Sequence, residues 1–393
     1  MNRIRSIARN RTNLRKSQPS VCARRKQSWG TVRRRDRAFQ VSPAAHLSAR
    51  TSAREKEGWP TDMGISSEIR APRSIGNGRN PCRSQFSIGG VTVEVSGDRR
   101  EDVALAPSLR AFETDLDEFD ISIAVEWVGD IESRQRSLLF DSGTTWRCYE
   151  DDARLLFDFN SPVFGAHPYK RLQVDRQFER ATLKMNESAF AGFPFEAEPL
   201  EYPLDELLIM HRLTQEQAIE LHACGIVTSD GLGSLFVGHS GAGKSTTTRL
   251  WTEREGVEVL SDDRIVVRAE NNPQHCKCGD RNLSQRQRDD DGNHSIRMYG
   301  TPWHGEAMYA FPGNARLGAI FILEHGCGNR LTELASGEAV AELFARSFVP
   351  FHRHEYVDAA LRFLQKVIAE VPCYRYAFEA DQSAVGTILK LRH

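Results

Sequence analysis

The sequence predicts an α/β fold built around a nucleotide site, and three adjoining observations predict it. Gly238, His239, Ser240, Gly241, Ala242, Gly243, Lys244, Ser245 and Thr246 follow the spacing G-x-x-x-x-G-K-[ST] of a phosphate-binding P-loop. Residues 234–237, just before it, are a short apolar run that reads as a buried strand. Residues 246–251, just after it, contain no breaker and open a helix whose N-terminus favours an anion. Gly238, Gly241 and Gly243 let successive N–H groups turn toward phosphate oxygens. Lys244 brings a positive charge to the β- and γ-phosphates, and Ser245 offers a hydroxyl to Mg2+. A nucleotide and Mg2+ are therefore expected, with residues 238–246 as the cradle.

The chain divides into three stretches. Residues 1–60 carry sixteen Lys/Arg and three Asp/Glu, a net +13, which leaves −14 on the remainder. This basic segment, with Arg33, Arg34 and Arg35, has little apolar periodicity, so residues 1–80 are read as disordered and set apart from the fold. Three origins compete for it: an anion- or nucleic-acid-binding arm, an Arg-rich transit peptide, or untranslated codons ahead of a true start at Met63. Residues 84–200 form the second stretch, a β-rich domain. Residues 86–95 alternate around Gly89 and Gly90, and 119–128 alternate again. Residues 137–140, 145–149 and 155–159 add short apolar or aromatic runs and 171–186 further alternation, so an antiparallel docking or scaffolding domain is expected.

Residues 201–393 form the third stretch, the nucleotide-binding domain. Pro203 opens a helix over 202–213. Residues 218–227, which include His222, read as a strand, and 229–233 as the turn into the P-loop strand. Two strands within 257–268 flank Ser261, Asp262 and Asp263. Residues 269–295 are polar and read as a mobile insertion, 295–299 as a strand, and 316–324 as a central buried strand. An amphipathic helix covers 354–370, Pro372 marks 371–378 as an edge strand, and 382–390 is a terminal helix.

The candidate chemistry lies near the loop. Asp262 and Asp263 follow a strand downstream of it, where such enzymes keep the acid that binds Mg2+ or its water shell. Two carboxylates allow one to hold metal while the other accepts a hydroxyl proton. His222 is placed to tune them, although a buried structural histidine is the common alternative. Residues 300–306 suit a rigid wall near a substrate, with Glu306 toward metal and His304 toward phosphate or substrate; the alternative is a structural turn with Trp303 as core. Arg316 is a minor phosphate candidate. His275, Cys276, Cys278 and His294 form only a weak zinc pattern.

The hairpin with His222, the P-loop and the Ser-Asp-Asp between strands together resemble the catalytic domain of HPr serine kinase/phosphorylase, which shares its P-loop arrangement with phosphoenolpyruvate carboxykinase. Residues 202–207, 221–225 and 300–306 are similar to HPr-kinase-like proteins of peptide-modification clusters. The resemblance implies a kinase- or carboxykinase-like P-loop domain behind the β-rich domain. It implies an enzyme, a kinase that passes the γ-phosphoryl group of ATP to a hydroxyl, of serine in the first instance, on a protein, peptide or small molecule. Lys244 and Ser245 then match the phosphate lysine and the Mg2+ hydroxyl. Asp262 matches the general base and Asp263 the metal ligand, a pair that can be exchanged. His222 matches the histidine that orients the base. The family's second Gly-rich signature is missing, and residues 300–306 with Glu306 stand roughly in its place, which puts the phosphorylase activity and HPr as substrate in question.

The rival reading is a catalytically idle nucleotide-sensing module. An ABC-type ATPase is set aside because no Leu-Ser-Gly-Gly-Gln signature follows the loop. With no apolar run of eighteen residues, no transmembrane helix and no membrane partner are expected. Eight scattered cysteines suggest a reducing, cytoplasmic setting. A nucleic-acid partner would rest on the basic arm alone and is not expected. A homo-oligomer is compatible with the sequence.

Overall fold

In the computed structural model, the described residues are 81–132, 136–192, 198–270 and 295–391. The basic segment, most of the 269–295 insertion and the four zinc candidates His275, Cys276, Cys278 and His294 lie outside them. Both sheets described below belong to one compact unit, Gly78–His393.

The first sheet follows the alternation in the sequence. Strands β1 (Cys82–Ile88) and β2 (Val91–Gly97) pair as a hairpin about Gly89 and Gly90, whose φ of +60° and +79° suit glycine. Strands β3 (Ile121–Val128), β4 (Ser137–Asp141), β5 (Trp146–Asp151), β6 (Arg154–Phe159), β7 (Lys170–Asp175) and β8 (Arg180–Asn186) follow. The eight strands order as β1-β2-β3-β8-β7-β6-β5-β4. The expected all-antiparallel pairing does not hold, because β3 runs parallel to both β2 and β8. The chain enters β3 through a long connection instead of a tight turn, which frees it to run alongside β2. A short helix α1 (Glu187–Phe190) and α2 (Leu204–Leu213) lead onward.

The α/β class expected for the second half is overturned. After β9 (Ala218–Val227) and β10 (Leu232–Val237), helix α3 (Lys244–Thr252) follows the P-loop. Then come β11 (Glu258–Ser261), β12 (Arg264–Glu270), β13 (Ser295–Gly300), β14 (Asn314–His325) and β15 (Arg330–Glu333). Helix α4 (Ser336–Phe344), β16 (Ser347–Phe348), α5 (His354–Glu370), β17 (Cys373–Phe378) and α6 (Gln382–Leu391) complete the chain. The strands order as β10-β9-β12-β13-β14-β17-β15, and β14 also pairs β10. That last pairing closes β10, β9, β12, β13 and β14 into a five-stranded barrel. Only β10–β14 and β14–β17 are parallel; the other described pairings in this sheet are antiparallel. A doubly wound sheet needs parallel strands joined by crossover helices. Here antiparallel neighbours joined directly dominate, and the architecture is mostly β with few helices. The expected edge position of residues 371–378 is also corrected, since β17 lies between β14 and β15. Pro372 precedes the strand, and its carbonyl accepts from the Ile320 N–H.

One apolar core joins the two halves. Phe86, Val93, Leu172 and Leu183 of the first sheet cluster with Leu204 and Leu208 of α2 and with Val266, Tyr299 and Trp303 of the second half. The tip of the first hairpin seats on β12: Arg268 donates to the Gly89 carbonyl at 3.1 Å, and a Cβ on Gly89 would meet Val266 Cγ1 at 2.7 Å. Among the described helices, none is long and apolar enough to cross a membrane. Cys82, Cys148, Cys224 and Cys373 are free thiols, while Cys327 is disulfide-bonded.

Candidate functional site

Strand β9 assembles the site through its register. Its C-terminal half pairs β10 and β11, and its N-terminal half pairs β12 and β16. His222 sits where these partners change. Val237 lies opposite Ala223, so the P-loop begins beside His222, and the Gly238 N–H donates to the His222 carbonyl at 3.2 Å. Arg264 lies opposite His222, and the Ala223 N–H donates to the Asp263 carbonyl at 3.0 Å. Three segments distant in sequence therefore meet at one position of the sheet.

Around the loop, Gly241 and Gly243 hold φ of +80° and +108°. A Cβ on Gly238 would meet Ala242 Cβ at 2.6 Å, and one on Gly243 would meet Phe378 Cζ at 2.7 Å. His239 and Ser240 are exposed, and the Ala242 N–H donates to the His239 carbonyl. His325, at the end of β14, contacts the Gly241 carbonyl at 2.8 Å. Ser245 and Thr246 occupy the first turn of α3, half-buried.

Lys244, His222 and Asp263 converge. Lys244 Nζ lies 2.6 Å from His222 Nε2, His222 Nε2 lies 2.8 Å from Asp263 Oδ1, and Lys244 Nζ lies 3.5 Å from that oxygen. Lys244 also donates to the Gly238 carbonyl at 3.1 Å. Burial pushes the Lys244 ammonium below its ordinary value, against the pull of Asp263. Burial likewise lowers His222, more than its hydrogen bond to Asp263 raises it. Burial opposes ionisation of Asp263 too, but the hydrogen bond from His222 and the charges of Arg264 and Lys244 outweigh it and hold the carboxyl at about 2. A neutral imidazole thus stands between a cation and a carboxylate.

The adjacent aspartate has a different environment. Asp262 is 1% exposed. Its Oδ1 accepts from the Gly305 N–H at 2.9 Å and the Tyr309 N–H at 3.2 Å, and its Oδ2 from the Ala307 N–H at 2.8 Å. Three backbone donors fill most of the four acceptor directions of a carboxylate. Asp262 therefore anchors the loop after Gly300, while Asp263 faces the lysine and the histidine. A Cβ on Gly305 would meet Asp262 Oδ2 at 2.8 Å and Asp263 Cβ at 3.1 Å, so that loop approaches only as glycine.

The other candidates are more scattered. Glu306 is exposed on the loop that Asp262 anchors. His304 turns Nδ1 to the Gly305 carbonyl at 3.1 Å. Trp303 is buried and donates Nε1–H to Asp205 at 2.9 Å. Arg316 pairs with Leu232, at the end of β10 away from the P-loop. Among the described residues no cluster of three or more His, Cys, Asp or Glu forms a metal cage. Ser245 and Asp263 do suit Mg2+, a hard ion held by one or two protein oxygens together with phosphate and water.

Sequence reading missed Arg264. Its guanidinium pairs with Asp263 Oδ2, lies 3.1 Å from Glu206 Oε1 and 3.4 Å from Glu220 Oε1, and stacks 4.1 Å over the Phe348 ring. The signal for it is a glutamate at position 220 inside a strand whose other residues, His222 apart, are apolar or small. A scan against protein-family models and a search of curated proteins match no family and no relative of this chain.

Proposed function

We propose that the protein is an ATP-dependent kinase of the HPr-kinase-like type, transferring the γ-phosphoryl group to a hydroxyl, of serine in the first instance, on a protein, peptide or small molecule. The observation that carries this reading is the convergence of Lys244, His222 and Asp263 at the start of a P-loop. The reading rests on the site and not on the fold, whose class differs from the expected one.

The bound nucleotide supplies the phosphoryl group, and Mg2+ supplies charge stabilisation on its oxygens. Residues 238–246 would wrap the phosphates, and Ser245 would hold the metal, with Asp263 facing its water shell. Lys244 leaves His222 for the phosphates, where its charge stabilises the transferring group. Asp263 Oδ1 is then paired with His222 alone, orients the acceptor hydroxyl and takes its proton. Transfer is loose in the transition state, so a weakly basic carboxylate suffices to position the hydroxyl. Asp262 holds the loop that carries Glu306. Metal ligation by Glu306 is a secondary part of the reading, since the residue is exposed on the loop that Asp262 anchors.

An idle nucleotide sensor is the second reading. Buried charge supports catalysis over it: binding alone needs the P-loop, whereas a desolvated His-Asp-Arg cluster is expensive to keep. The cytoplasmic setting is proposed from ATP use and the four free thiols among the described residues, with the disulfide at Cys327 weighing against it. Incubation with γ-labelled ATP and candidate acceptors tests the function. Label in a hydroxyl supports the kinase; ATP binding without product supports the sensor.

A further inference from the structure

Arg264 and the two glutamates behind it form a buried charged group that the proposed reaction does not use directly. Glu220 is 0% exposed, and its oxygens lack a hydrogen-bond donor among the described residues, although Arg264 Nε is 3.4 Å away. Glu206 is 9% exposed and takes the Arg264 Nε–H at 3.1 Å. Glu206 comes from α2, Glu220 from β9, and Arg264 from the first position of β12. Other polar groups at this spot are Asp205, held by Trp303, and Tyr202. Burial, then the facing Glu206 carboxylate, push the Glu220 carboxyl well above its ordinary range. One guanidinium serves both Glu206 and Asp263.

Such a group is a poor way to gain stability. Replacing a buried ionic trio with apolar residues is often neutral or stabilising. Its geometry, however, has a definite consequence. Glu206 draws on Nε of the guanidinium, which leaves the NH1 end on Asp263 Oδ2. With Oδ2 occupied, Oδ1 is the oxygen left for His222 and Lys244. The Phe348 ring centroid lies 4.1 Å from Arg264 Cζ and 6.1 Å from the His222 ring centroid, which limits rotation of both.

We propose that Arg264 is a positioning residue that fixes which oxygen of Asp263 faces His222 and Lys244, and that Glu206 and Glu220 hold Arg264 in that pose. This deepens the kinase reading and rests on it for its catalytic consequence, but the positional claim stands apart from it.

Two variants test the proposal: Glu206→Leu/Glu220→Leu/Arg264→Met, which leaves no uncompensated charge, and Arg264→Lys, which keeps the charge but loses the planar fork. Each is measured by the His222 side-chain 15N shift in histidine-labelled protein, by the crystallographic orientation of Asp263, and by kcat and KM for ATP. The expected result is a changed His222 shift and a rotated Asp263 carboxylate. For a displacement of about 1 Å, kcat falls about 100-fold with KM for ATP held within about twofold. If the triple variant does not fold, Arg264→Lys alone decides between the two outcomes. An unchanged His222 shift and Asp263 orientation overturns the positioning role, whether or not the protein is a kinase. Wild-type protein that binds ATP but transfers nothing defeats the kinase reading and leaves the positional result intact.

Discussion

Lys244 Nζ lies 2.6 Å from His222 Nε2, the same nitrogen that faces Asp263 Oδ1 at 2.8 Å. One ring nitrogen cannot both accept from the ammonium and donate to the carboxylate. A neutral His222 must choose, and the choice is resolved when Lys244 moves to a phosphate. The Lys244–His222 contact is thus one that nucleotide is expected to break.

This gives the first prediction. His222→Ala frees Lys244 and removes the group that orients Asp263. ATP affinity should hold or rise, while transfer falls about 100-fold or more. Calorimetric titration with ATP beside a transfer assay checks it, and parallel losses in both quantities contradict it.

Asp262 and Asp263 should behave differently despite being neighbours. Hydrogen bonds to a charged acceptor contribute about 1.5–3 kcal/mol each, and Asp262 accepts three from backbone. Asp262→Asn presents an NH2 group to one of those amides. It should lower stability by about 2–4 kcal/mol, read as a lower urea midpoint. Asp263→Asn should leave the midpoint closer to wild type and abolish transfer.

Much of this is legible in the amino-acid order, and the limits have physical reasons. Alternation locates the hairpin about Gly89 and Gly90, because apolar period reports which face is buried, whereas the strand with His222 reads from a mostly apolar run and is buried on both faces. The P-loop signal is local, a strand, a turn and a helix, and the chain forms those pieces. Pairing partners are not local. Nothing within 316–324 says that β14 pairs β10 on one side and both β13 and β17 besides, so the barrel stays hidden and a P-loop suggests α/β. Adjacent carboxylates look alike in sequence. Their roles separate only when the amides of Gly305, Ala307 and Tyr309 arrive at one of them. Glu206 reads as an ordinary helix charge until β12 brings Arg264 against it.

Gly243→Ala should disable the loop. Its φ of +108° is strained for alanine, and the new Cβ would meet Phe378 Cζ at 2.7 Å. ATP binding should weaken at least about tenfold, by titration, with far-UV dichroism unchanged.

Stability should fall in mild acid through His211. Burial, then the neighbouring His352, hold this ring at about 3, against 6.5 when free. Above 6.5 both states are neutral and its contribution is complete. As pH falls from 6.5 toward 3, the unfolded chain binds a proton that the folded chain refuses, so stability is lost. The opposite trend comes from Asp205, which burial raises to about 7 and which favours the fold as pH falls from there toward 3.8. The two are separated by difference. His211→Gln should reduce the stability lost between about pH 7 and 4.5 by about 2 kcal/mol relative to wild type, measured by urea unfolding at both values.

The most direct measurement compares phosphoryl transfer from γ-labelled ATP by wild type and by Asp263→Asn, with ATP affinity determined for both. A kinase built on this site puts label in an acceptor hydroxyl with wild type, retains ATP binding in the variant, and loses transfer there by orders of magnitude. Equal labelling by the two proteins, or a wild type that does not bind ATP, contradicts it.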